Sequence, residues 1–241
     1  MKVMKLLFRR ETAMPVIALT FASGVSVALV MARILWTGNL HYAFLVWNLF
    51  LAWMPLVFAL LAQDKYRASS GRDWNFVALS TAWLLFFPNA PYIFTDLIHL
   101  TTRYYTHFWV DLVLVLSCAL TGLVLGFLSL YLMQGMVSRR LGRIAGWCFV
   151  AGVAALSSIG VYLGRFLRFN TWDVIFKPVE LYHGIGNWVT DPLHSSRSSV
   201  FPVLFATFLF ISYVMLYALT HLQPVAGLDQ PNSKIPAPGI V

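Results

Sequence analysis

The sequence predicts an all-α fold, a polytopic transmembrane bundle of about six spans with a broken third span and a short outer amphipathic helix. Three observations carry that prediction. Of 241 residues, 59% are hydrophobic and only 11% charged, less than half the charged share of an ordinary soluble domain. Mean hydropathy is +0.74. Apolar runs of membrane-crossing length recur along the chain, separated by short polar segments that hold most of the lysines and arginines.

In order, the spans are predicted at about 13–35, 42–62, 74–87, 108–133, 144–168 and 199–221. The first exceeds the apolar stretch of a signal peptide and reads as a retained span. Residues 1–12 form a basic segment, 13–222 a single transmembrane domain, and 223–241, with four prolines and few apolar residues, a disordered tail. Eleven of the 17 Lys and Arg residues fall in one alternate set of loops and ends. Positive-inside bias then places both termini in the cytoplasm. The net charge of +8 reads as topology, with no basic stripe to suggest nucleic acid. Membrane lipids are the expected partners.

The third span carries the most information. Only fourteen residues, Trp74 to Phe87, precede Pro-Asn-Ala-Pro, and at ~1.5 Å per residue they cover roughly two thirds of a bilayer core. The break therefore falls at membrane depth, where irregular backbone must be buried in protein or face a watery cavity. Asn89 and Tyr92 sit at that break. As an α-helix, the following segment aligns Tyr92, Asp96, His99 and Arg103 on one face and sets Ile93, Leu97 and Leu100 on another.

The fourth span opens with Asp111 in its first turn, where the helix dipole favours a carboxylate. Asp111, Cys118, Gly122 and Ser129 share a small, partly polar face that should turn inward. The fifth span ends in Arg165 and Arg168, followed by Asn170 and Asp173. Two small-xxx-small pairs, Gly122/Gly126 and Gly160/Gly164, read as close packing of spans. Cys118 and Cys148 read as buried apolar residues, His183 and His194 as surface residues. The long connections 88–107 and 169–198 fit either a functional lid or aromatics resting on headgroups.

These placements bring Asp96, His99, Asp111, Arg165, Arg168 and Asp173 to one depth near the outer face. Asp96 and Asp111 are then the counter-charges for the arginines. Asp96, His99 and Asp111 are candidates for proton transfer, with no catalytic residue assigned. Asn89, Tyr92, Arg165, Arg168, Asn170 and Asp173 are candidates for holding an anionic amphiphile, a lipid or lipid-linked substrate. A structural ion-pair cluster in a non-catalytic assembly subunit is the alternative, and a small transporter a further one. Asp96 with His99, and Asp111 or His107, offer too weak a spacing for a metal site, and no cofactor is expected.

Three blocks, FFPNAPYIFTDLIHL, WVDL and GVYLGRFLRFNTWD, resemble the bacterial integral membrane proteins catalogued as domain of unknown function 1361. The likeness runs over roughly residues 40–215. It implies a multi-span bacterial membrane protein and supplies no activity, substrate or catalytic residue. The matching blocks mark Asn89, Tyr92, Asp96, His99, Asp111, Arg165, Arg168, Asn170, Trp172 and Asp173 as signature positions.

Overall fold

A computed structural model describes residues 13–69, 73–101, 107–169, 173–190 and 196–221. The segments 1–12 and 222–241 lie outside the described residues. Among those described there is no strand.

Helix α1 spans Ala13–Thr37 and ends where Gly38 turns left-handed at φ 64°. A 3₁₀ turn, Leu40–Tyr42, is capped by the Asn39 side chain and leads into α2, Ala43–Ser69. Asp73 caps α3, Trp74–Phe86. A single turn α4, Asn89–Tyr92, and a 3₁₀ segment, Ile93–Thr101, follow. The remaining helices are α5, Phe108–Leu141; α6, Arg143–Phe166; α7, Asp173–Phe176; α8, Pro178–Thr190; and α9, Ser196–Thr220. Gly142, at φ 92°, is the sole residue between α5 and α6. That conformation suits a residue without Cβ. Six of these stretches are long and apolar enough to cross a membrane, with Trp74–Ile98 counting as the third. The chain is an integral membrane protein of the multi-pass kind.

The centre of the bundle is α5. It packs against α1, α2, α6, α4 and the 3₁₀ segment, while α9 lies on α6. Within its most apolar stretch 61% of residues are buried, against 22% for α1 and for α9, so those two helices are the rim. Their exposed Phe21, Leu35, Leu204 and Met215 face outward, as lipid-facing residues do. Asp111, Cys118, Gly122 and Ser129 are all buried, the inward face their spacing predicts. Cys148 is exposed, so it packs outward and does not join the core.

Side-chain hydrogen bonds tie spans together where apolar contact alone gives no register. Trp53 Nε1 donates to Ser23 Oγ at 3.1 Å, and Trp83 Nε1 to Ser129 Oγ at 3.1 Å. The Tyr213 hydroxyl donates to Gln134 Oε1 at 2.5 Å. Such bonds are worth about 0.6–2 kcal/mol between membrane helices.

The third span breaks in its hydrogen-bond ladder but not in its backbone. Pro88 and Pro91 have no N–H to donate. Yet Phe87 (φ −55°, ψ −40°), Pro88 (−59°, −23°) and Ile93 (−56°, −28°) all keep right-handed helical angles. The freed groups find new partners. Asn89 Nδ2 donates to Phe86 O at 2.9 Å, Ala90 N to Phe87 O at 3.1 Å, and Thr95 Oγ1 to Tyr92 O at 2.7 Å.

Beyond the break the coil tightens to 3₁₀, with about three residues per turn. Positions 93 and 96 then share a face, and Ile93 and Asp96 are both buried. The α-helical wheel that separated them does not apply here.

Candidate functional site

The two small-xxx-small pairs hold this segment. A methyl group added at Gly122 would stand 2.8 Å from Ile93 Cδ1 and 3.0 Å from the Ala90 carbonyl oxygen; one at Gly126 would stand 2.9 Å from Ala90 Cβ. On the other side, one at Gly160 would meet Pro88 Cγ at 2.9 Å, and one at Gly164 would meet Tyr92 Cε2 at 3.2 Å. The Pro-Asn-Ala-Pro-Tyr segment is therefore a wedge seated between glycine faces of α5 and α6. The sequence suggested helix-to-helix packing at these glycines, and the segment fills that place.

At the end of the wedge sits Asp96, 1% exposed. Arg165 Nη1, from the last turn of α6, donates to its Oδ1 at 2.9 Å, and Asn48 Nδ2, from α2, donates to its Oδ2 at 3.0 Å. Arg165 Nη2 donates to the Thr95 carbonyl at 3.0 Å. The Arg165 guanidinium also stands 5.9 Å from the centre of the Tyr92 ring, within range of a cation–π contact. One arginine thus clamps the carboxylate, a backbone carbonyl and an aromatic face of the same segment.

A second pair lies at the same end of the bundle. Arg33, in the last turns of α1, donates from Nε to Asp111 Oδ1 at 2.6 Å and from Nη2 to Asp111 Oδ2 at 3.1 Å. This two-pronged geometry is the strongest form of such a pair. The side chains are 9% and 6% exposed. Arg33 lies over the Trp36 ring at 5.7 Å, and Trp36 meets His107 at 4.9 Å between centroids. The start of α5 is thereby fixed to the end of α1. Arg33 Nη1 is buried with no hydrogen-bond partner among the described residues.

The expectation of one cluster in which Asp96 and Asp111 both answer Arg165 and Arg168 is corrected in two respects. Asp111 takes Arg33, a residue of α1 outside the expected cluster. The pairs also stand at different heights. Ile93 packs at Gly122, and Asp96 is one 3₁₀ turn above it, about 6 Å, whereas Asp111 is eleven α-helical residues above, about 16 Å. Counted as backbone rise, roughly 10 Å separates positions 96 and 111.

Arg168 joins neither pair. It is exposed, at φ 60°, and forms the left-handed turn that ends α6, with Phe169 N donating to Leu163 O at 3.2 Å. Asn89 is used in the turn described above. Asp173 opens α7, and Lys177 N donates to its carbonyl at 2.8 Å. Asn170 and Trp172 lie outside the described residues, as does the side chain of His99. His194 lies outside them too, and His183 is exposed. Among the described residues no group of three or more His, Cys, Asp and Glu is placed to hold a metal.

Asn48 and Arg33 are the residues the sequence reading missed, and a signal for Arg33 exists. Buried positions on α1 are Val16, Leu19, Ser26, Val30 and Arg33, a helical stripe on which the arginine is the last member.

The family described as "Protein of unknown function (DUF1361)" matches residues 47–219, well over half of the chain. The chain belongs to the DUF1361 family. That match takes in Asn48, the wedge, Asp96, Asp111 and Arg165, while Arg33 precedes it. Comparison with curated proteins and with solved structures gave no match. Family membership carries no activity with it, so the function of this DUF1361 protein has to be argued from its site.

Proposed function

We propose that this protein is a non-catalytic membrane component whose two buried ion pairs lock the order and register of its spans. The observation that supports this reading is the saturation of Asp96. Both carboxylate oxygens already accept hydrogen bonds from Arg165 and Asn48, and 1% exposure leaves no approach for a substrate. A general base must reach the proton it removes. Asp111 has both oxygens engaged in the same way. On this reading residues 13–222 act as one transmembrane domain in a bacterial cytoplasmic membrane, and the basic loops keep both termini cytoplasmic.

The test is stability. Breaking a buried pair by removing one partner costs about 3–5 kcal/mol, some 6–20 °C in thermal midpoint for a protein of this size. Asp96→Ala and Arg165→Ala should each show that loss in neutral detergent. Midpoints within about a degree of the parent would contradict the reading.

Binding of an anionic amphiphile is the second reading, favoured by one observation. Arg33 Nη1 is a buried donor without a partner among the described residues, and a buried donor left unmade costs about 1–3 kcal/mol. An anionic headgroup oxygen at that nitrogen would recover it. Tight binding of an anionic lipid that disappears in Arg33→Lys, with the thermal midpoint retained, would support this reading over the first.

A further inference from the structure

The opposite end of α5 carries a feature that neither ion pair uses. A cavity of about 250 Å³ opens there, between the ends of α2, α5, α6 and α9. Its charged lining is Arg139 and Arg143, with no carboxylate. Both arginines are exposed, and neither is ion-paired to a described residue. The single-residue link at Gly142 sets them on either side of a tight reversal, one in the last turn of α5 and one opening α6.

Further donors point the same way. Ser138 also lines the cavity, and its hydroxyl lies against Gly146, where an added methyl would collide with it. Gln134 reaches the cavity from the buried face of α5. Its carbonyl is occupied by Tyr213, so the group left over is its amide N–H₂. Helix α6 begins at Gly142 with no side-chain cap. Its first backbone N–H groups and the positive end of its dipole therefore stay open at this spot.

Position supplies the rest. Helix α5 has 34 residues, about 51 Å at 1.5 Å each. A bilayer core is about 30 Å thick and about 40–45 Å with headgroups. Both ends of α5 must therefore reach the headgroup layers. Tyr131 and Tyr217, 6.0 Å apart between centroids, form the cavity's aromatic wall, as tyrosines do at membrane boundaries. The volume falls below the ~300 Å³ of the smallest typical ligand pockets. It suits a headgroup and not a whole amphiphile.

We propose that this cavity binds a phosphate-bearing anion, held by Arg139 and Arg143 with Ser138 and Gln134 as supporting donors. The anion is a lipid phosphodiester headgroup or free phosphate. The site is distinct from the ion-paired end and does not depend on the function proposed above.

The experiment uses the full chain in neutral detergent, titrated with short-chain phosphatidylglycerol or short-chain phosphatidylcholine. Phosphatidylglycerol should bind the parent more tightly by about tenfold or more, because its headgroup is net anionic whereas the choline cation of the other lipid offsets its phosphate beside two arginines. Arg139→Gln with Arg143→Gln should remove that preference. Lys65→Gln with Arg140→Gln, which takes two charges from the same end outside the cavity lining, should keep it. Displacement of the lipid by inorganic phosphate identifies the free anion as an occupant; retention of the lipid against phosphate identifies the headgroup. Equal binding of the two lipids by the parent, or equal loss of preference in both double variants, would overturn the proposal. Should the Arg139/Arg143 double variant fail to fold, the two single variants replace it, and an unchanged preference in both would overturn the proposal just as directly.

Discussion

Asp96 shows how much a single buried carboxylate demands. Its charge is answered by Arg165 and its second oxygen by Asn48. The two partners are not equivalent, because one neutralises charge and the other only completes a hydrogen-bond shell. Asn48→Ala should therefore lower stability by about 1–3 kcal/mol, less than the 3–5 kcal/mol expected of Asp96→Ala. Comparing the thermal midpoints of the two variants checks that order, and equal losses would mean that Asn48 holds more than one oxygen. Arg168 has the opposite character. Its left-handed φ of 60° strains a residue with a Cβ by about 1–2 kcal/mol. Arg168→Gly should leave the fold intact and raise the thermal midpoint, whereas a fall would reveal an anchoring role for its guanidinium.

Residue types grouped Asp96 and Asp111 as counter-charges for Arg165 and Arg168, since opposite charges at span ends must pair or reach water; of those pairings, Asp96 with Arg165 forms. They did not announce Arg33. One arginine at the end of a long apolar helix resembles an ordinary interface anchor, and only the burial stripe through Val30 and Arg33 distinguishes it. Nor could the two carboxylates be ranked in height. That order depends on which residue of the segment after Pro91 meets Gly122, and spacing alone does not tell that it is Ile93.

At the scale of elements, the wedge explains why four glycines occur in two matched pairs. Gly122, Gly126, Gly160 and Gly164 give the Pro88–Tyr92 segment its space. Gly122→Ala or Gly160→Ala forces a methyl against backbone or a proline ring, and overpacking of this kind costs about 1–3 kcal/mol. Gly135 and Gly152 have nothing within 4 Å of an added methyl. Gly135→Ala and Gly152→Ala should instead gain up to about 1 kcal/mol of helix propensity. Thermal unfolding of the four variants should split them into two groups by sign. The glycine spacing was legible in the sequence, but its partner was not. Small-xxx-small predicts close approach and is silent on whether a helix or an interrupted segment does the approaching.

For the whole molecule, composition and apolar run lengths determined the class and all six spans, because a bilayer leaves the backbone few alternatives. The ends of those spans were less legible. Helix α5 continues to Leu141, well past the predicted limit near 133, since a helix need not stop where its apolar run does. The bundle that results has a central helix tied at one end to α1 by Arg33 with Asp111, and a second charge pair, Asp96 with Arg165, ties the broken third span to α6. That pairing scheme is the central claim, and charge exchange tests it most directly. Asp111→Arg, measured alone, should unfold at a much lower temperature than the parent. Adding Arg33→Asp should recover a substantial part of the loss, and adding Arg165→Asp in its place should lower the midpoint further. Recovery with Arg165→Asp and none with Arg33→Asp would contradict the account.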